Sequence, residues 1–217
     1  MKRQNKMAWS IGLGALALTG CAMLPPSAEL DQLAAAMVQR SFRDQGIAKV
    51  ASLRQDDSNR ECSAADMAGK PIEDKLGKAI EAANLKTVKL PSDGAFLGDW
   101  RLGEQVAQNG RGMTWTDPAG VPSGGNCYNC HQIGKAELSF GTIGPSLFNY
   151  GKIRGVSDPA SPGAKPMLEY TWGKIWNAKA YNACSGMPRF GHAGILTEKQ
   201  IKDIMALLLD PRSPVNQ

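Results

Sequence analysis

The chain has 217 residues, a length that allows one or two domains. Hydrophobic residues make up 42% of it, which is ordinary for a globular protein, and its formal net charge is +5. The first 20 residues contain three basic and no acidic residues, so their removal lowers the net charge to +2. A charge this small gives no support for nucleic-acid binding.

The N-terminus predicts export from the cytoplasm. Three basic residues precede an apolar run at residues 7–18, which is too short to span a bilayer and is typical of a secretory signal peptide (residues 1–20). The run ends in Leu-Thr-Gly-Cys, which resembles a bacterial lipobox and predicts that Cys21 is acylated. Cleavage nearby, for instance after Ala17, is the alternative. Several acyl chains on one residue anchor a protein stably, so we expect a periplasmic protein that contacts the membrane only through its N-terminal lipid.

A helical extension is expected after a short tether at residues 21–28. Apolar residues at helical spacing predict helices over residues 29–52 and 72–86, with a polar segment between them. The turn signal Pro-Ser-Asp-Gly at residues 91–94 closes this part of the chain. We therefore predict a helical N-terminal extension over residues 29–95.

The second part, residues 96–217, is also predicted to be helical. Helices are expected at residues 99–109 and 170–180, and a last helix begins at Thr197, where Thr-Glu-Lys-Gln has the pattern of a capping box. Pro211 stops that helix. Because strand signals are nearly absent, the predicted fold class is all-α.

The central motif of this part is Cys127-Tyr128-Asn129-Cys130-His131. It matches the attachment pattern for c-type haem, in which two thiols add to the haem vinyl groups and the adjacent imidazole lies under the iron. We predict one covalently attached haem c, held by Cys127 and Cys130, with His131 as the proximal iron ligand.

Zinc binding and dithiol redox chemistry are the alternatives to haem attachment for the paired cysteines. A structural zinc site needs four ligands, usually as two pairs, but the other cysteines (Cys21, Cys62 and Cys184) are scattered singly. A thioredoxin-like dithiol needs a strand before it, whereas the residues before Cys127 form a glycine-rich loop. Both readings are therefore weaker than the haem reading.

An electron-transfer haem iron takes a sixth ligand in addition to His131, and Met187 is the best candidate. It lies in the segment CSGMPRFG, a loop between two predicted helices. Methionine is more often core filler, and Met167 and His192 remain alternatives. On the proximal side, the Pro145 carbonyl is expected to accept the Nδ1 proton of His131 and fix its tautomer.

Two cysteines remain after haem attachment and lipidation are assigned. Cys62 and Cys184 are the two cysteines left over, and in an oxidising compartment such a pair predicts a disulfide between them. The bridge would tie the extension to the loop that carries Met187 and hold the thioether on the iron. A pair of unconnected buried thiols is the alternative.

The positive charge is concentrated around the predicted haem site. Seven basic and three acidic residues lie between Cys127 and His192. The basic residues are Lys135, Lys152, Arg154, Lys165, Lys174, Lys179 and Arg189. A solvated surface would explain them, but so would a positive rim that steers an acidic electron acceptor toward the haem edge.

The order of these features resembles a class I cytochrome c. The segments GNCYNCHQI, GTIGPSL, YGKIRG and ACSGMPRFG resemble the SoxX family more specifically, over roughly residues 96–210. The resemblance implies the class I cytochrome c fold, with haem on Cys127 and Cys130 and with His131 and Met187 as axial ligands. The lipobox departs from the family pattern, because most members are expected to be soluble.

The resemblance also implies a function. SoxX forms a heterodimer with SoxA, and the complex, an L-cysteine S-thiosulfotransferase, oxidatively joins thiosulfate to a cysteine of the SoxYZ carrier and releases two electrons. We expect this chain to be the electron-accepting subunit, with no catalytic residue of its own. A membrane-tethered shuttle cytochrome serving an oxidase is the alternative, and a haem sensor is a third.

Overall fold

The computed structural model describes residues 27–217, which fall into two units. The described part of the first unit, which ends at Phe42, is helix α1 (Ser27–Ser41). The second unit runs from Arg43 to Gln217, so residues 43–95 of the predicted extension belong to the same unit as the predicted haem domain. The predicted signal peptide, Cys21 and nearly all of the tether lie outside the described residues.

Helices make up the regular structure of the described residues, which confirms the predicted all-α class. The second unit contains α2 (Asp57–Met67), α3 (Asp74–Leu85), α4 (Trp100–Gln108), α5 (Tyr150–Ile153), α6 (Lys165–Trp176) and α7 (Glu198–Leu209). Between residues 27 and 217 there is no strand beyond one isolated bridge, Gln45 to Ala48. No helix in that range is long and apolar enough to cross a bilayer.

The first predicted helix, residues 29–52, is wrong beyond Ser41. The chain turns tightly at Gly46, whose φ of +54° lies outside the helical region. Gln45 and Ala48 exchange two backbone hydrogen bonds of 3.0 Å across this turn. A Cβ atom at Gly46 would overlap with the carbonyl oxygen of Trp115, so the close approach also favours glycine here.

Helix α2 was not predicted, because it lies in the polar segment between the two expected helices. Asp56 caps its N-terminus, where the side chain accepts a 2.8 Å hydrogen bond from the Asn59 amide. None of its residues is buried, so the sequence carries no apolar periodicity that would mark it. Its N-cap and its tertiary contacts stabilise this helix.

The remaining predicted helices are present with small shifts at their ends. Helix α3 lies within predicted residues 72–86, and α4 lies within 99–109. Helix α6 begins five residues before the predicted start, and Pro166 in its first turn favours that start. Thr197 and Gln200 form the expected capping box at the start of α7.

Helix α7 is the centre of the core, and α4 crosses it in close contact. Ile201, Met205, Leu207 and Leu209 of α7 are fully buried. At the crossing, a Cβ atom on Gly103 would overlap with the carbonyl oxygen of Asp203. The Asp203 carboxylate also accepts a 2.9 Å hydrogen bond from the Asp99 amide at the start of α4. The absence of a side chain at Gly103 therefore sets how closely the two helices approach.

Residues of the predicted extension pack directly on α6. Two indole nitrogens donate to backbone carbonyls of the segment after α3: Trp172 to Lys89 at 2.7 Å and Trp176 to Thr87 at 3.1 Å. The two indole rings stack on each other with centroids 5.9 Å apart. This part of the chain is therefore joined to the helix that precedes the Met187 loop.

The α4–α7 crossing gives a test of the packing. Gly103→Ala should destabilise the protein by about 1–3 kcal/mol, because the methyl group overpacks the crossing, although alanine is the better helix former by about 1 kcal/mol. Urea denaturation followed by circular dichroism measures the change. Gly163→Ala is the control, since no atom lies within 4 Å of the Cβ position there. Equal or higher stability of Gly103→Ala would contradict the close crossing.

Candidate functional site

The two cysteines of the CxxCH motif lie in a single helical turn. Cys127–Asn129 form a 3-10 turn, and the amides of Cys130 and His131 donate to the Cys127 carbonyl at 3.1 and 2.9 Å. Side chains three and four residues apart in such a turn face the same side. The turn therefore brings Cys127, Cys130 and His131 together.

Tyr128, inside the motif, fastens this turn to helix α4. Its hydroxyl donates to Glu104 Oε1 at 2.8 Å and accepts from the Gly134 amide at 3.1 Å. Burial, together with the hydrogen bond to Glu104, raises the pKa of Tyr128, so the phenol stays protonated. Backbone bonds of 2.8 Å from Gly125 to Val106 and 3.0 Å from Asn126 to Asn109 hold the preceding residues on the same helix.

The His131 imidazole is oriented by a backbone carbonyl. Its Nδ1 lies 2.7 Å from the oxygen of Pro145, which is the contact expected from the sequence. Because a carbonyl can only accept, Nδ1 carries the proton, and in the neutral imidazole Nε2 then has the free lone pair. A Cβ atom on Gly144 would overlap with the imidazole ring, so the backbone lies directly against it. The ring is thus held in one orientation with a nitrogen ready to bind a metal.

The segment at residues 135–146, here called the proximal loop, is bonded to the motif through its C-terminal half. The Gly141 amide donates to the Tyr128 carbonyl and the Gly144 amide to the Cys130 carbonyl, both at 2.8 Å. Two of its apolar side chains are almost fully exposed, Leu138 at 91% and Ile143 at 88%. The proximal loop therefore presents apolar surface from a backbone that is fixed to the motif.

The four described cysteines separate into two kinds. Cys62 and Cys184 form the expected disulfide, with Cα atoms 5.5 Å apart. Cys127 and Cys130 are free thiols. Among residues 27–217, no group of three or more His, Cys, Asp or Glu side chains is arranged to hold a metal ion, which gives no support to a zinc site.

The candidates for the sixth ligand have different surroundings. Met187 lies in the segment at residues 181–196, here called the ligand loop, and its partly buried side chain packs against the core. Met167 also packs against the core, but it lies in the first turn of α6. His192 is exposed, and its amide donates to the Trp176 carbonyl at 3.0 Å. Met187 alone combines partial burial with a position in a loop.

The predicted positive rim is smaller than its seven residues suggest. Lys179 is buried and donates to the Ala183 carbonyl at 3.0 Å. Arg189 pairs with Asp56, and Lys174 contacts the Ala178 carbonyl at 3.4 Å. The exposed members are Lys135, Lys152, Arg154 and Lys165. Any steering of an acidic partner would therefore depend on these four.

Comparison with known proteins assigns the family. A family model described as cytochrome c matches residues 100–210, just over half of the chain. The chain belongs to the cytochrome c family. An uncharacterized lipoprotein of Aquifex aeolicus (strain VF5) is 39% identical to this cytochrome c over 132 residues. That match covers 60% of the chain and 59% of the relative, so the chain spans less than two thirds of its length.

Membership of this family establishes haem c, attached covalently, as the cofactor. The donor set found in the structure fits that group. Two free thiols lie in one turn with an imidazole whose Nε2 is available, while the other two described cysteines are already paired. Sequence reasoning identified these residues, but it missed the Tyr128–Glu104 contact, because nothing in the spacing of residues 104 and 128 marks them as neighbours.

The contact between Gly144 and the imidazole gives the second test. Gly144→Ala should leave the haem covalently bound, since both cysteines are unchanged, but should displace the His131 ring and so weaken the bond that we predict between His131 and the iron. We expect a partly high-spin absorption spectrum and unchanged haem staining on a denaturing gel. Gly163→Ala is again the control. A wild-type spectrum for Gly144→Ala would show that the backbone does not lie against the ring as described.

Proposed function

We propose that this cytochrome c is the electron-accepting subunit of a periplasmic sulfur-oxidation complex, with its haem on Cys127 and Cys130 and with His131 and Met187 as the axial ligands. The orientation of His131 by the Pro145 carbonyl, at 2.7 Å, is the observation that carries the site assignment. The sulfur-oxidation role is supported by the SoxX-like segments around the motif and around Met187.

Bound haem c supplies a reversible one-electron couple. The chain's own residues keep that couple free of side reactions. His131 is held in a single tautomer, and a thioether from Met187 would close the other side of the iron to small ligands. The chain therefore transfers electrons, and the bond between thiosulfate and the carrier cysteine would form on the partner. This role would make the complex, and not this chain alone, an L-cysteine S-thiosulfotransferase.

A SoxA-like cytochrome is the proposed partner, and the proximal loop is its proposed docking surface. Exposed apolar residues in a backbone bonded to the haem-binding turn would place the partner next to this haem. Large exposed apolar side chains are typical of the centre of a protein interface. A SoxYZ-like carrier would bind to the complex, and an acidic electron acceptor would be attracted by the four exposed basic residues.

A lipid on Cys21 would keep this complex at the membrane. The lipobox-like residues 18–21 support that proposal, and the relative from Aquifex aeolicus is named a lipoprotein. The same tether also favours the second candidate, a shuttle cytochrome serving an oxidase. Purification of the native complex separates the two, since only the first requires a stably bound second cytochrome.

Replacement of Met187 tests the sixth ligand. Met187→Ala should keep the covalent haem but allow cyanide to bind the oxidised protein and carbon monoxide to bind the reduced protein. Loss of the thioether should also lower the reduction potential, on the order of 100 mV, because axial ligands set haem potentials over about 0.8 V. Met167→Ala is the matched control and should behave as the wild type. An unchanged spectrum for Met187→Ala would move the assignment to Met167 or His192.

Charged substitutions test the docking surface. The double variant Leu138→Asp/Ile143→Asp should lower the amount of SoxA-like cytochrome that co-purifies by at least about tenfold, because two central apolar contacts are lost. Met67→Asp is the control, since Met67 is equally exposed at 86% but lies on α2. Equal recovery of the partner with both variants would exclude this surface. Absence of any second cytochrome with the wild type would favour the shuttle.

A further inference from the structure

Met187 lies between two residues of the ligand loop that are each bonded to α2 or its N-cap, and these two bonds are called the first and the second tie. Three residues before it, Cys184 is bonded to Cys62 of α2. Two residues after it, the Arg189 guanidinium lies 2.5 Å from the carboxylate of Asp56, the N-cap of that helix. The short stretch that carries the thioether is therefore held at both ends, once by a covalent bond and once by an ion pair.

The first tie is reinforced by the residue before the disulfide. The Ala183 amide donates to Glu81 of α3 at 3.2 Å, and the Ala183 carbonyl accepts from the buried Lys179 at 3.0 Å. Both backbone groups of Ala183 are thus satisfied by side chains. The beginning of the stretch is fixed to α3 as well as to α2.

The second tie depends on one carboxylate with two roles. Oδ1 of Asp56 accepts from the Asn59 amide at 2.8 Å and caps α2, while Oδ2 binds Arg189. Burial raises the pKa of Asp56, but these hydrogen bonds and the Arg189 charge outweigh it and hold the pKa below its usual value. The Arg189 side chain is only 18% exposed, whereas the Asp56 side chain is 41% exposed. Because one partner is largely shielded from water, this charge-assisted pair is screened less than a pair in which both side chains are exposed.

A second ion pair on the same helix shows the contrast. Asp57 binds Arg60 at 2.7 Å, but the side chains are 90% and 58% exposed, and both belong to α2. That pair joins residues within one helix and does not involve the ligand loop. It supplies a matched control for the charge of Asp56.

We infer that Asp56 and Arg189 are positioning residues for the sixth iron ligand. Their ion pair restrains the chain after Met187, whereas the disulfide restrains the chain before it. The inference rests on the proposed role of Met187. A chain segment restrained at both ends samples fewer conformations than one restrained at a single end, so the thioether returns to the iron more often after each dissociation. The helical extension thus tunes how readily the sixth position opens.

The variant Asp56→Asn separates the ion pair from the helix cap, because asparagine caps a helix about as well as aspartate. We expect imidazole to bind the oxidised holoprotein about tenfold faster in Asp56→Asn than in the wild type, since a bond between two charged groups is stronger than the bond that a neutral amide can make to Arg189. Asp57→Asn should change that rate less than about twofold, as expected for an exposed pair. Stopped-flow absorbance measures the rates.

A double-mutant cycle tests the pairing itself. Arg189→Gln should accelerate imidazole binding as Asp56→Asn does, and the double variant should add little to either single change. Additive effects would mean that the two residues act separately and would overturn the inference. Equal acceleration by Asp56→Asn and Asp57→Asn would do the same, because it would assign the effect to the general charge of α2.

Met187→Ala separates failure of this inference from failure of the ligand assignment. If Met187→Ala binds imidazole freely but Asp56→Asn exchanges at the wild-type rate, Met187 is the ligand and the ion pair does not position it. If Met187→Ala keeps the wild-type spectrum and rate, the ligand assignment is wrong and the inference falls with it. A loss of folding stability in Asp56→Asn without faster exchange would also contradict the inference.

Discussion

The close crossing of α4 over α7 is the constraint from which the rest of the site follows. Gly103 allows α4 to lie against the carbonyl of Asp203 on a helix that is buried over most of its length. The next residue of α4, Glu104, holds Tyr128, and the C-terminal half of α4 holds the residues before Cys127. The contact between α4 and α7 therefore fixes the position of the haem-binding turn.

Backbone hydrogen bonds connect that turn to the residues that orient His131. The Gly144 amide binds the Cys130 carbonyl, and the Pro145 carbonyl binds His131. The imidazole is thus oriented by main-chain atoms, which are held more firmly than a polar side chain of the surface would be. This arrangement suits electron transfer, because an imidazole held in one orientation would limit the rearrangement that accompanies each electron.

The ligand loop is held by a different part of the chain. Helices α2 and α3 contact the ligand loop through the Cys62–Cys184 bridge, the Asp56–Arg189 pair and the Glu81 carboxylate. The disulfide joins residues 122 positions apart, and closing a loop of this size stabilises a fold by about 2–5 kcal/mol. The extension therefore has a structural role in the haem domain, since it supports the loop that carries Met187.

Several elements could be predicted from the sequence for identifiable reasons. The CxxCH motif, the Thr197 capping box and the cysteine parity each depend on residue types at fixed spacing, and the structure shows the turn, the cap and the bridge. Helix α2 and the end of α1 were not predicted. An N-cap determines where α2 begins and a glycine turn follows the end of α1, and neither feature produces an apolar periodicity in the sequence. The Asp56–Arg189 and Tyr128–Glu104 contacts escaped for another reason. Each joins residues far apart in sequence, and their proximity depends on tertiary packing.

Peptide mapping of the purified holoprotein by mass spectrometry, without reduction, tests the central claim most directly. We expect one haem on the peptide that contains Cys127 and Cys130, with both cysteines resistant to iodoacetamide, and a disulfide-linked pair of peptides that contain Cys62 and Cys184. A chain without haem, a haem-free peptide in which Cys127 and Cys130 are alkylated or bonded to each other, or free thiols at Cys62 and Cys184 would contradict it.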